Sequence, residues 1–232
     1  MVDEARKTLS KNDLELQPQS VNPSNHGGLS DLQSQQTSDD LQLLKEFRTI
    51  MKEMTERHLA ASAPRLAEMD RLQIEKMLDV ETLAHGFGIE QNRYNLIEWR
   101  RLVKEDVDSS RSLMEEMTER LELLFSGSRF EADALKNLAT GKKKQEKFLT
   151  AILTTSNAQI NAVSTLNEFM AARVGRVEVQ NGQLFFETQD EVDAYNQYID
   201  EIVRQGRIVD ELWEQYQQRL DAYVSNLERF YK

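Results

Sequence analysis

Apolar residues recur three and four positions apart along most of the chain from residue 40 onward. The register is longest near the end, where Val192, Tyr195, Ile199, Ile202, Gly206, Val209, Trp213, Tyr216, Leu220, Tyr223, Leu227 and Phe230 form one stripe, all but Gly206 apolar or aromatic. A helix with that register lays one seam against other helices. Similar stripes lie upstream, at Leu43, Phe47, Ile50 and Met54, and at Val103, Val107, Ser110, Met114, Met117, Leu121 and Leu124. The pattern predicts an all-α fold, an elongated antiparallel bundle of four or five helices.

Boundaries follow from the residues that start and stop helices. Ser38, Asp39 and Asp40 offer N-cap chemistry, so the first helix is expected from about Asp39. Pro64 lacks a backbone donor and predicts a stop or kink after Ala63, with the stripe resuming at Leu66. His85-Gly86-Phe87-Gly88 breaks the period, and a further helix is expected from about Gln91 to Phe125. Ser128 and Glu131 have the form of a capping box for a helix from about Arg129 to Arg173. Within it, Gly141 is a possible break and Thr154-Thr155-Ser156-Asn157 a polar interruption, either facing water or forming a polar layer in the core.

The period then changes to two. Residues 176–187 alternate around Asn181-Gly182, a turn pair that tolerates positive φ at both positions, and predict a two-stranded hairpin. Val179 should face Leu184 and Val177 face Phe186 on an apolar side, while Arg176 opposes Glu187 and Glu178 opposes Phe185 on the other. Thr188 and Glu191 then cap the last helix, from about Gln189 to Phe230, on the order of 60 Å long at 1.5 Å per residue. Gly206 on its seam marks a close helix approach or a bend.

Residues 1–39 change the picture. They hold two of the three prolines, are rich in Ser, Gln and Asn, and have no apolar period. Such a segment cannot bury enough surface to offset chain entropy, and is expected to be a disordered tail or tether ahead of a helical domain over 40–232. The chain has a formal charge of −11, and its basic runs are short (Arg100-Arg101, Lys142-Lys143-Lys144), which argues against nucleic acid as a partner. It has no cysteine, hence no disulfide and no thiolate site, and no stretch approaching the roughly 18 apolar residues of a membrane span. No membrane insertion by this chain is expected.

Chemistry is sparse. Neither His58 nor His85 follows a Glu three residues earlier, so a carboxylate-bridged di-metal bundle is excluded. Gly141-Lys142 lacks the first glycine and the hydroxyl residue of a phosphate loop. No catalytic, cofactor or metal site is assigned, and no enzyme activity is expected. The candidate partner-binding residues are Phe185, Trp213, Tyr216, Tyr223 and Phe230. Each either fills the bundle core or stays exposed for a protein partner or a second copy. The alternative is a small-ligand site in the polar layer near Ser156, Asn157 and Gln159, with Glu81 and His85.

From Val177 onward, Val177, Val179, Asn181-Gly182, Phe185, Thr188, Tyr195-Asn196, Ile199 and Trp213 carry a spacing that resembles a family of small bacterial lipoproteins of unknown function, over about residues 177–213. The resemblance implies a bacterial, mostly helical envelope protein with a hairpin before its last helix, and no catalytic residues. Family members carry a leader and a lipid-bearing Cys that this sequence lacks. A removed leader would make the tail a tether on the periplasmic side; a cytoplasmic or secreted relative fits as well, the tail then serving as a secretion signal. The reading is a non-enzymatic interaction or structural protein of a bacterial cell.

Overall fold

A computed structural model describes the backbone of residues 27–230 and the side chains of residues 39–215 and Gln218. Helices α1 (Gly27–Leu72), α2 (Val80–Ala84), α3 (Gly86–Phe125), α4 (Glu131–Ala171) and α5 (Gln189–Phe230) are joined by a 3-10 turn at Ile74–Leu78 and by strands β1 (Glu178–Gln180) and β2 (Gln183–Phe185). The chain divides into two units, Met1–Leu44 and Lys45–Lys232. In the first, the described stretch is the start of α1, with Leu41 and Leu44 exposed. The second holds the rest of α1 and every other element.

α1 begins at Gly27, ahead of the expected Asp39, because adding polar residues to an existing helix costs far less than starting one. The expected tail otherwise lies outside the described residues. Pro64 does not stop α1. It sits on the exposed side, so water can solvate the Ala60 carbonyl that loses its donor, and Ser62 and Arg65 on either side of it both bond Asp106 of α3. The helix ends eight residues later at Leu72, and Gln73 after it is left-handed with φ 48°. His85 is extended, but Gly86–Gly88 form the first turn of α3 instead of a loop. α4 runs unbroken through Gly141 and through 154–157.

The core lies where α3 packs on α4 and α4 on α5. Leu96, Trp99 and Val103 of α3 meet Ile160, Val163, Leu166 and Met170 of α4 and Ile202 of α5, with Met77 and Leu83 closing one end. Fully burying a side chain such as Leu166 contributes about 1.5–3 kcal/mol. Inside this apolar layer Asn92 donates to the Met77 carbonyl (2.9 Å) and to Asn167 Oδ1 (3.2 Å), while Asn167 donates to the Ile89 carbonyl (3.1 Å). The two amides thus clip the 3-10 turn to α3 and α4.

The hairpin has the expected register, Glu178 opposite Phe185, Val179 opposite Leu184 and Gln180 opposite Gln183, around Asn181 (φ 52°) and Gly182 (φ 73°). Val177, Leu184 and Phe186 pack on the core. Phe186 sits 6.1 Å from the Phe169 ring and 5.4 Å from Tyr195, and Arg173 stacks on Phe169 at 3.6 Å while bonding Glu191. That bond takes the Glu191 carboxylate out of its expected capping box, of which the Thr188 half remains, with its Oγ1 accepting from the Glu191 amide at 3.3 Å. The other box is also displaced: Glu131 accepts from the Gly127 amide, and α4 starts at Glu131. Gly206 marks a close approach, since a Cβ there would lie 3.2 Å from Gln159 Nε2 of α4.

Candidate functional site

Beyond Trp99, α3, α4 and α5 pack through Val107, Phe148, Leu149, Ile152 and Leu212, and α1 stands off from this cluster. α1 and α3 meet through side chains rather than by close backbone approach, and a cavity of about 1060 Å³ lies between α1, α3, α4 and the Val209–Trp213 stretch of α5. From α1 it is lined by Phe47, Met51, Met54, His58, Leu59 and Met69, and from α3 by Val103, Val107, Met114, Met117, Leu121 and Phe125. α4 adds Leu138, Gly141, Ile152, Ser156 and Gln159. On each helix these positions recur at three and four, so the sequence stripes that predict packing also make the cavity wall. Leu59 and Leu66 line it while remaining 63% and 59% exposed, which places its mouth along that edge of α1.

The opposite edge of α1 is laced to α3 by ions. Arg120 grips Glu53 with two bonds of 2.9 and 2.8 Å, Arg57 grips Glu116 in the same two-pronged way, and Glu68 accepts from Arg101 at 3.1 Å. The hydrogen bonds from Arg120 and Arg57 hold the Glu53 and Glu116 carboxyls below their ordinary range. A bidentate guanidinium pair spans a wider gap than apolar contact does, so this lacing fixes α1 at a distance from α3. Further along, Arg65 Nε donates to Asp106 Oδ1 at 3.0 Å and Ser62 Oγ to the same oxygen at 3.1 Å. Arg65 Nη2 lies 3.0 Å from that oxygen without aiming at it, and is buried with no hydrogen-bond partner. Among the described residues no group of three or more His, Asp or Glu could hold a metal ion. No described helix is long and apolar enough to cross a membrane.

The sequence-derived candidates scatter. Trp213 lines the cavity, 40% exposed, its ring 6.0 Å from Phe148 in edge-on contact. Phe185 is 46% exposed on the polar side of the hairpin, away from the cavity. The side chains of Tyr216, Tyr223 and Phe230 lie outside the described residues. In the polar layer, Ser156 and Gln159 line the cavity, but Asn157 does not, and its Oδ1 is buried without a partner. Glu81 and His85 are exposed on α2 and the turn after it, with His85 Nδ1 2.8 Å from the Glu81 carbonyl, so they form no site with the other three. Sequence reasoning missed the α1 and α3 walls. Their signal was present in the methionines: five of eight, Met51, Met54, Met69, Met114 and Met117, line the cavity. Comparison of the chain with protein-family models, with curated proteins and with solved structures returned no match.

Proposed function

We propose that this protein works by binding rather than by catalysis, and that its binding element is the cavity under α1, which takes an elongated apolar guest. The carrying observation is the methionine- and leucine-lined hollow of about 1060 Å³ with an open edge at Leu59 and Leu66. Apolar pockets of this size with a few polar groups are the usual form of ligand sites, and flexible thioethers adapt to guests of differing shape. The likeness of residues 177–213 to bacterial lipoproteins supports an envelope setting for this interaction protein.

The test is a neutral apolar dye such as Nile red titrated into the full chain. Fluorescence enhancement is expected, and Gly141→Trp should remove most of it: position 141 lines the cavity and leaves open space around a Cβ, from which an indole can reach into the hollow. An unenhanced dye, or enhancement indifferent to Gly141→Trp, would refute the reading. A second reading is favoured by the same exposed edge, which suits a second copy of the chain. Light scattering that gives a dimer lost in Leu59→Ser/Leu66→Ser would select it.

A further inference from the structure

The charged residues lining the cavity have the opposite balance to the chain. Arg65 and Lys142 face it against one carboxylate, Asp106, and His58 faces it too, in a protein of formal charge −11. Among the described residues neither His58 nor Lys142 has an acidic partner, and Arg65, ion-paired with Asp106, keeps a buried Nη2 that makes no hydrogen bond. Two cross-links fix their heights. Arg57 pairs with Glu116 and Arg111 with Glu146, so along these antiparallel helices His58 and Lys142 lie at one level, next to Met114. Arg65 is seven residues along α1, about 10 Å at 1.5 Å per residue. From His58 to Phe47, on the other side, the lining, interrupted by Thr55, Thr118 and Asn137, is mostly apolar for about 17 Å, the scale of a long acyl chain. A cationic centre, half-buried at His58 and Arg65 and exposed at Lys142, at the head of a mostly apolar trough is complementary to an amphiphile with an acidic head.

Resting on the binding role proposed above, we infer that the cavity holds an anionic amphiphile: its acyl chain lies between Met51 and Met54 of α1 and Met117 and Leu121 of α3, and its acidic head meets His58, Lys142 and Arg65. The head is a carboxylate or a lipid phosphate. Both suit guanidinium and ammonium donors, which are strongest toward ionised acceptors.

Both tryptophans, Trp99 and Trp213, line the cavity and report its occupancy. Delipidated full-length chain is titrated with oleate and with oleyl alcohol, which share the chain and differ in head charge, while intrinsic fluorescence is followed. Oleate should bind about tenfold more tightly, a difference of about 1.4 kcal/mol. His58→Gln/Lys142→Gln should remove most of that preference, and Lys143→Gln, one residue along and outside the cavity lining, should retain it. A response to phosphatidylglycerol vesicles without one to oleate assigns a lipid phosphate head, the reverse a free carboxylate, and either supports the proposal. Equal affinities for oleate and oleyl alcohol overturn the anionic head while the apolar cavity stands. No response to either, with Nile red also dark, overturns the binding role itself. Binding of an acidic amphipathic peptide with no response to the amphiphiles overturns the proposal in favour of a protein partner.

Discussion

At the scale of single residues, the two buried asparagines and the first-turn glycine of α3 carry the sharpest consequences. Asn92→Ala leaves the Met77 carbonyl and Asn167 Oδ1 without their donor inside an apolar layer, and should cost about 1–3 kcal/mol in urea unfolding followed by circular dichroism. Asn196→Ala, at an exposed position, should stay within about 0.5 kcal/mol. Similar losses for the two would end the idea of an amide clip. Gly88 is fixed by proximity: a Cβ there would lie 2.2 Å from the Thr82 carbonyl oxygen, so Gly88→Ala must push α2 away from α3. Overpacking of this kind costs about 1–3 kcal/mol. Gly86→Ala, whose Cβ would meet Val174 Cγ1 at an ordinary 3.8 Å, should leave the melting temperature nearly unchanged. Neither role can be read from the sequence, since an asparagine facing another seventy-five residues away leaves no local signature. Asn181-Gly182 does leave one, because both residues adopt positive φ within a single turn.

At the scale of elements, local chemistry decided what could be foreseen. The hairpin and its register were legible, as was the span of α5 from Gln189 to Phe230, because turn type and seam are written within a few residues. The end of α1 and the start of α3 were not, since solvent exposure of Pro64 and the contact of Gly88 with α2 are set by other parts of the chain. Only the structure reveals that α1 from Lys45 on is laced to α3 by carboxylates. Glu53 and Glu116 have pKa values lowered on folding from the ordinary 4.5. A group of that kind adds stability above its unfolded pKa and loses it as the pH falls through the folded one. The lacing is therefore complete at neutral pH and dissolves as the pH drops from about 5 through those lowered values. The cysteine-free chain suits spin labelling: Lys52→Cys/Glu119→Cys should give a narrow α1–α3 distance distribution at pH 7 and a broader, longer one once the pH is taken below those lowered values. A distribution that does not change would mean that apolar contact alone holds α1.

At the scale of the whole molecule, the sequence announced a helical bundle with a hairpin but not that the stripe of α1 stops short of the others. Periodicity tells which faces turn inward; it is silent on how far apart those faces stand. That spacing comes from long paired side chains on one edge of α1 and from small or thioether residues beneath it, a property of four helices together. The order in which these helices are made then matters. Residues 45–72 leave the ribosome well before the segments that complete the shelter of their methionines, which run to Trp213. At about 5–20 residues per second, roughly 10–30 s of translation separate the two, and over that interval the nascent helix shows Phe47, Met51, Met54 and Leu59 to the cell. The wall of the cavity under α1 is, for the newborn chain, exposed apolar surface of the kind that makes chaperones necessary.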